Sequence, residues 1–178
     1  EYNIEGNPFE APLGDYPGML ELTKATRPAQ VTFVPDSVDQ LTSNRGWVIS
    51  PHEHRLRDTI AEYRALGGRV SMFMDPEVDE YALAKDVGAD RIELYTEDFA
   101  RAHKSGHFDE TLQRYAAAAK VAQDVGLGVN AGHDLSLTNL HDFLTIDGIL
   151  EVSIGHAVIS DALRFGLTGA VTRYLDCL

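Results

Sequence analysis

The chain has 178 residues, of which 44% are apolar and 24% are charged. This is the composition of a globular protein, and the length suffices for one domain with a sizeable core. Lys and Arg number 15 against 28 Asp and Glu, which gives a formal net charge of −13 at pH 7. That charge argues against nucleic acid or an anionic membrane as a partner, because both need a basic protein surface.

The cysteine count and the hydropathy pattern restrict the cellular location and the kinds of site that the protein could have. Cys177 is the only cysteine, which excludes an intrachain disulfide and a multi-cysteine zinc site and favours a reducing, cytoplasmic location. The sequence has no apolar run near the ~18 residues that a membrane span needs. It opens at Glu1 with a strand-like pattern rather than a loose terminus, so we expect further sequence upstream.

Short apolar runs alternate with helical patterns along the chain. The predicted strands cover residues 2–5, 30–34, 69–74, 91–95, 128–131 and 149–154. The predicted helices cover residues 18–26, 54–66, 76–87, 109–125, 136–143 and 157–175. Nearly continuous apolar strands of this kind are typical of a parallel sheet buried on both faces.

This alternation predicts an α/β fold, either a doubly wound sheet or a (β/α)8 barrel. Six βα units are two short of a barrel, and a typical barrel has ~250 residues, so an absent N-terminal portion would reconcile the count. Residues 7–17, 35–51 and 97–108 follow strand ends and are predicted as loops. Ligands of α/β proteins bind at this edge of the sheet, so long loops here indicate function.

Polar side chains cluster at the carboxyl ends of the predicted strands. Glu5 ends the first strand and Glu93 lies within the fourth. His133 and His156 directly follow the fifth and sixth. Two carboxylates and two imidazoles on one rim would form a general acid–base site. Taken singly, a strand glutamate is more often a surface or ion-paired residue, and a histidine after glycine often caps a helix.

The Gly155-His156 pair is predicted to open a helix directly after the last strand. Free backbone N–H groups at such a helix start, with the helix dipole behind them, form a binding site for phosphate. Gly132-His133-Asp134 is placed to supply further N–H donors. An ordinary tight strand-to-helix turn has the same pattern, so this motif is weak by itself.

Six stretches, taken in chain order, resemble the pyridoxine 5′-phosphate synthase family. They cover residues 3–6, 32–36, 40–43, 92–96, 129–135 and 153–159. The Asn-Ala-Gly-His block at 130–133 and the Ile-Gly-His-Ala block at 154–157 are specific in combination. The resemblance implies a TIM barrel that is commonly assembled as an octamer, with no metal and no organic cofactor.

The resemblance also implies a reaction and its catalytic residues. The family condenses 3-amino-2-oxopropyl phosphate with 1-deoxy-D-xylulose 5-phosphate, giving pyridoxine 5′-phosphate, phosphate and water. By position, Glu5 corresponds to the acid–base glutamate, Glu93 to the carboxylate that stabilises the transition state, and His133 to the proton donor. Carbinolamine formation, loss of water and loss of phosphate all involve proton transfers. Carboxyl and imidazole groups with different pKa values are suited to such transfers.

Four substrate-binding positions follow from the same resemblance. The backbone at Asp134, Gly155 and His156 corresponds to the phosphate site for the amino-ketone, and Thr42 to a contact with the sugar phosphate. The family's first two βα units, which carry a general-base histidine and an arginine for the sugar phosphate, have no counterpart in this sequence.

Two other interpretations stay open. One is a different phosphosugar or aldolase-like barrel enzyme; a lysine at a strand end would support a Schiff-base aldolase, and none of the six predicted strand ends offers one. The other is a non-catalytic relative or fragment that serves as an assembly module. An upstream coding sequence that contains the two absent βα units would exclude the non-catalytic interpretation.

Overall fold

The computed structural model describes residues 1–37 and 39–178. Within these ranges six strands alternate with helices. The strands are β1 (Asn3–Gly6), β2 (Gln30–Phe33), β3 (Arg69–Met74), β4 (Arg91–Tyr95), β5 (Gly128–Gly132) and β6 (Ile149–Ser153). The α-helices are α1 (Met19–Thr26), α2 (Glu53–Arg64), α3 (Tyr81–Asp86), α4 (Glu97–Ser105), α5 (Asp109–Asp124), α6 (Leu140–Phe143), α7 (His156–Phe165) and α8 (Leu167–Leu175). The six predicted strands are therefore confirmed, with ends that differ by one residue or less.

The described strands form one parallel sheet in the order β1-β2-β3-β4-β5-β6. A doubly wound sheet reverses direction at a switch point, and this order does not reverse. The sheet also curls. Gln30 of β2 donates a hydrogen bond of 3.1 Å to Glu151 of β6, although four strand spacings in a flat sheet would separate them by about 19 Å. The fold is thus α/β and part of a TIM barrel, as predicted.

The core lies between the curled sheet and its helices. Along β4 and β5 the side chains that face the helices are apolar and fully buried, such as Ile92, Leu94 and Val129. Because strand side chains alternate between faces, Glu93 and Asn130 point into the barrel instead. Burial of each large aliphatic side chain contributes about 1.5–3 kcal/mol, so the apolar outer face stabilises the sheet while the inner face stays polar.

Residues 97–108 were expected to form a loop, and this prediction is wrong because most of them form helix α4. Its first turn is acidic and its last turn carries His103 and Lys104, which complements the helix dipole. Gly106 ends the helix in the left-handed conformation with φ 78°. Phe99 is completely buried, so an apolar anchor and well-placed charges both favour this helix.

The expected single helix over residues 157–175 is two helices. Gly166 separates α7 from α8 with φ 72° and ψ 155°, which is outside the helical region. The break allows α8 to fold back on α7, and Tyr174 of α8 donates a hydrogen bond of 2.8 Å to Asp161 of α7. No helix in the described ranges is long and apolar enough to cross a membrane.

Two other helices are shorter than predicted. Within the predicted helix over residues 76–87, only α3 is α-helical. A short 3-10 turn at Val78–Glu80 precedes it. The predicted helix over residues 136–143 is helical only at its C-terminal end, in α6. The side chain of Asn139 accepts a hydrogen bond of 2.8 Å from the backbone N–H of Ser136, which holds that segment in a turn.

The segment that follows β2 is fastened to the ends of the strands. The backbone N–H of Trp47 donates to the carbonyl of Phe73 at 2.8 Å, and its indole N–H donates to the carbonyl of Phe33 at 2.9 Å. The N–H of Gly46 donates to Asp75 at 3.0 Å. Val38, within the predicted loop 35–51, lies outside the described residues.

Candidate active site

A cavity of about 580 Å³ opens at the carboxyl ends of the strands. This volume suits a small-molecule site. Its lining contains six of the predicted site residues, namely Glu5, Glu93, His133, Asp134, Gly155 and His156. Leu135, Ser153, Ile154, Ala157 and Ser160 complete the described lining. Thr42, the remaining predicted residue, is exposed on the segment after β2 and lies outside this lining.

Glu93 points inward from β4 and is only 1% exposed. Burial raises the pKa of Glu93 well above its ordinary value, and the negative charges of Glu5 and Glu151 raise it further. The hydroxyl of Ser153 donates a long hydrogen bond of 3.4 Å to the carboxylate, which opposes this shift. Glu93 therefore keeps its proton to higher pH than an ordinary glutamate, which suits a general acid.

Glu5 enters the cavity from β1, where its side chain also reaches solvent. Surrounding protein excludes part of its hydration and raises its pKa, and the negative charge of Asp36 adds to this effect. Oδ2 of Asp36 accepts a hydrogen bond of 2.5 Å from the Ser43 hydroxyl. Its Oδ1 is buried without a hydrogen-bond partner among the described residues. The cavity thus contains one enclosed and one accessible carboxyl group, a pair suited to different proton-transfer roles.

His133 is aimed into the cavity by an unusual turn after β5. His133 and Asp134 both have positive φ, 79° and 58°, a conformation that few residue types other than glycine adopt but in which His and Asp are enriched. The hydroxyl of Thr96 lies 2.7 Å from the carbonyl of Gly132 and also contacts the carbonyl of His133. These contacts from the end of β4 hold the turn in place.

The environment of His133 favours the neutral imidazole. Burial lowers the pKa of His133. The carboxylates of Asp134 and Asp36 act in the opposite direction, and His156 adds to the lowering. A neutral imidazole is able to accept a proton from one atom of a substrate and donate it to another, which is the usual requirement for an acid–base histidine.

Helix α7 starts at the wall of the cavity. Gly155 precedes it with φ −98° and ψ −86°, and no side chain of the described residues caps its first turn. A Cβ atom at Gly155 would meet nothing within 4 Å, so a ligand has room to approach the backbone. The free N–H groups and the helix dipole together favour an anion at this point.

The polar groups of the described residues that line the cavity are carboxyl, imidazole, hydroxyl and backbone N–H groups. In the part of the chain that the structure describes, no cluster of three or more His, Cys, Asp or Glu side chains is arranged to hold a metal ion. His103, which lies outside this cavity, pairs with Asp142 at 2.8 Å and joins α4 to α6.

A family model described as "Pyridoxal phosphate biosynthesis protein PdxJ" matches residues 1–178. The chain belongs to the PdxJ family. Its curated relatives include the pyridoxine 5′-phosphate synthase of Xanthomonas axonopodis pv. citri (strain 306), which is 54% identical over 179 residues. That of Xylella fastidiosa (strain 9a5c) is 52% identical over 179 residues. The match covers all of this chain and 70% and 69% of these two relatives.

Solved structures with little sequence similarity support the PdxJ chain's fold assignment. A citrate synthase, SbnG, superposes with a TM-score of 0.57 at 15% identity, covering 99% of this chain and 72% of that one. A structure titled "Native KDPGal structure" gives a TM-score of 0.55 at 13% identity, covering 89% of this chain and 64% of that one. At these identities the likeness concerns the fold alone.

Sequence reasoning missed several contacts that shape this PdxJ site. Ser153 contacts Glu93, Gly132 leaves room for it, and Phe73 and Tyr95 pack against His133. Each lies near the carboxyl end of a strand, on the inward face. The alternation of side chains along the strands could have identified that face, but the ring-to-ring contacts depend on strand register.

Proposed function

We propose that this chain carries the acid–base and phosphate-binding part of a pyridoxine 5′-phosphate synthase. The substrates are 3-amino-2-oxopropyl phosphate and 1-deoxy-D-xylulose 5-phosphate, and the products are pyridoxine 5′-phosphate, phosphate and water. One observation carries the proposal. Two carboxyl groups, an imidazole and an uncapped helix start meet in a single cavity of about 580 Å³.

The phosphate of the amino-ketone binds at the start of α7 in this proposal. Backbone N–H groups at Gly155 and His156 supply hydrogen bonds, and the helix dipole supplies local positive potential on an acidic protein. The phosphate then fixes the small substrate at one end, so that its amine and ketone reach the carboxyl and imidazole groups. Such positioning supplies a large part of the rate acceleration for condensations.

Glu93, Glu5 and His133 then divide the proton transfers. Condensation of an amine with a ketone needs a proton on the oxygen that leaves as water, and Glu93 keeps its proton for such a step because its pKa is raised. Glu5, which is open to solvent, exchanges protons between steps. His133 accepts a proton as the neutral imidazole and returns it to a later leaving group.

The sugar phosphate is expected to contact Thr42. In the family, the general-base histidine and an arginine for this substrate come from two βα units that this sequence does not contain. We therefore propose that turnover needs those units in addition to the cavity described above, and that the chain without them binds the amino-ketone phosphate but turns over slowly or not at all.

A product assay tests this proposal. The chain extended at its N-terminus with the corresponding segment of the Xanthomonas relative should form pyridoxine 5′-phosphate from the two substrates. Glu5→Gln and His133→Asn should each lower kcat by about 10²- to 10⁴-fold. Glu62→Gln and His141→Asn, at exposed positions on α2 and α6, are matched controls that should keep wild-type rates.

The opposite results would exclude the proposal. If the extended wild-type protein is folded and forms no product, the chain is not part of a synthase of this kind. If Glu5→Gln or His133→Asn turns over at the wild-type rate, that residue has no role in the mechanism.

A further inference from the structure

The imidazole of His133 lies against two aromatic rings. The rings of Phe73 and Tyr95 each have their centroid 5.1 Å from that of His133, tilted by 54° and 89°. Phe73 is fully buried and Tyr95 is 9% exposed. With Val34 they form a small apolar cluster at the carboxyl ends of the strands, separate from the main core.

Strand register determines this arrangement. Tyr95 is paired with Gly132 across β4 and β5, and Gly132 is the residue before His133. Phe73 is paired with Glu93 across β3 and β4. A shift of one residue in either pairing would turn these side chains to the opposite face of the sheet. The same register that brings Glu93 into the cavity therefore places both rings beside the imidazole.

Tyr95 is itself held on several sides. Its backbone carbonyl accepts a hydrogen bond of 2.5 Å from the hydroxyl of Tyr115. Its own hydroxyl donates to Glu97 at the start of α4 at 2.5 Å, and the carbonyl of Ser43 lies 3.4 Å away. Its ring packs against Phe73 with centroids 5.2 Å apart. The backbone bond and the ring packing do not need the Tyr95 hydroxyl, so they are sufficient to hold the ring as a wall beside the imidazole.

We propose that Tyr95 is a positioning residue for His133, because its ring, together with that of Phe73, fixes the plane of the imidazole and keeps water from one side of it. The edge-to-face contact is a favourable aromatic geometry, worth about 0.5–1.5 kcal/mol beyond burial. The role in turnover rests on the proposed function above, whereas the effect on the His133 titration does not.

The electrostatic surroundings agree with this geometry. The carboxylates of Asp134 on the same turn, Asp36 after β2 and Glu97 on α4 all raise the pKa of His133. His156 at the start of α7 lowers it, and burial lowers it more than any other cause. The net pKa is lowered despite three nearby carboxylates, so the groups that exclude water dominate.

The decisive experiment is an NMR titration of the His133 imidazole in the chain, assigned by the loss of its signal in His133→Asn. The wild-type midpoint should lie below the ordinary value of about 6.5. Tyr95→Phe keeps the ring and should leave the midpoint unchanged. Tyr95→Leu and Phe73→Leu each remove a ring and should raise the midpoint. Phe9→Leu removes a ring beside His52 and is the matched control.

An unchanged His133 midpoint in a folded Tyr95→Leu protein would overturn the proposal, as would a midpoint in Tyr95→Phe that moves as far as in Tyr95→Leu. If Tyr95→Leu does not fold, Tyr95→Met and Phe73→Leu provide the same test. Methionine keeps an unbranched apolar side chain of adaptable shape. A purely structural role for Tyr95 would lower the melting temperature without moving the midpoint, and that result also counts against the proposal.

A second measurement uses the extended enzyme of the product assay. Tyr95→Leu should lower kcat by about 10- to 100-fold with little change in KM for the amino-ketone, since misplacement of a catalytic group costs rate rather than binding. Tyr95→Phe should restore kcat to within about twofold of wild type. If the wild-type enzyme forms no product, the proposed function fails while the titration still tests the positioning role.

Discussion

The carboxylate of Glu93 occupies the space into which a side chain at Gly132 would project. A Cβ atom at Gly132 would overlap Oε1 of Glu93 and would lie 3.2 Å from Cβ of Ser153. The two residues are on adjacent strands, with Tyr95 paired to Gly132 and Glu93 paired to Asn130. Glycine in this strand is therefore a condition for burying the carboxyl group at the cavity.

Gly132→Ala should displace Glu93 and reduce activity of the extended enzyme. Overpacking a rigid site costs about 1–3 kcal/mol, so the free energy of unfolding in urea should fall by that amount. Gly169→Ala is the control, because its Cβ would be 3.4 Å from the nearest atom and it lies within α8. That change should be neutral or stabilising by up to about 1 kcal/mol. Equal stability of Gly132→Ala and wild type would show that the carboxylate has room to move.

Glu93→Gln should stabilise the protein increasingly as pH rises. The pKa of Glu93 is raised in the folded state, so between the unfolded and folded pKa values the folded protein binds more protons. The contribution of Glu93 to stability then falls with rising pH above about 4.5, where an unfolded glutamate ionises. Glutamine does not ionise, so the difference in unfolding free energy between variant and wild type should grow with pH.

Urea unfolding at several pH values between 4.5 and 8 measures this difference. Glu62→Gln, which is exposed on α2, should show a difference that does not change with pH. A difference for Glu93→Gln that is flat, or that shrinks as pH rises, would mean that Glu93 ionises as an ordinary glutamate does.

Much of this site follows from the sequence, for a physical reason. In a parallel sheet the carboxyl ends of all strands lie on one edge, so chain order alone predicted that Glu5, Glu93, His133 and the Gly155-His156 turn would meet. The strands were easy to identify because they are apolar and short. The cavity lining agrees with that reasoning.

Other features depend on tertiary contacts that a sequence pattern does not contain. Helix α4 lacks a long apolar stripe and is held by Phe99 and by the pairing of His103 with Asp142. The aromatic contacts of His133 depend on register. Thr42 is assigned by resemblance alone, and because it is exposed and lies outside the lining, its role stays a prediction.

Asp36→Asn should lower the pKa of both Glu5 and His133. The charge of Asp36 raises the pKa of each group, so its removal shifts both titrations to lower pH. The amide oxygen of asparagine still accepts the hydrogen bond from Ser43, which preserves the local structure. The midpoint of the His133 imidazole in the NMR titration should therefore move to lower pH, and so should the acid limb of the pH–rate profile of the extended enzyme.

The exposed Asp39 offers a matched control for that change. Asp39→Asn removes the same charge three residues away and should leave the His133 midpoint and the acid limb unchanged. A profile for Asp36→Asn that coincides with the wild type would mean that Asp36 is too well screened by water to influence the cavity.

A crystal structure of this chain with 3-amino-2-oxopropyl phosphate would show where the substrate phosphate binds. We expect phosphate oxygens about 2.7–3.2 Å from the backbone nitrogens of Gly155 and His156, with the amine and ketone facing Glu93 and His133. If the molecule instead occupies another part of the surface while this cavity holds only water, the phosphate site is not at the start of α7.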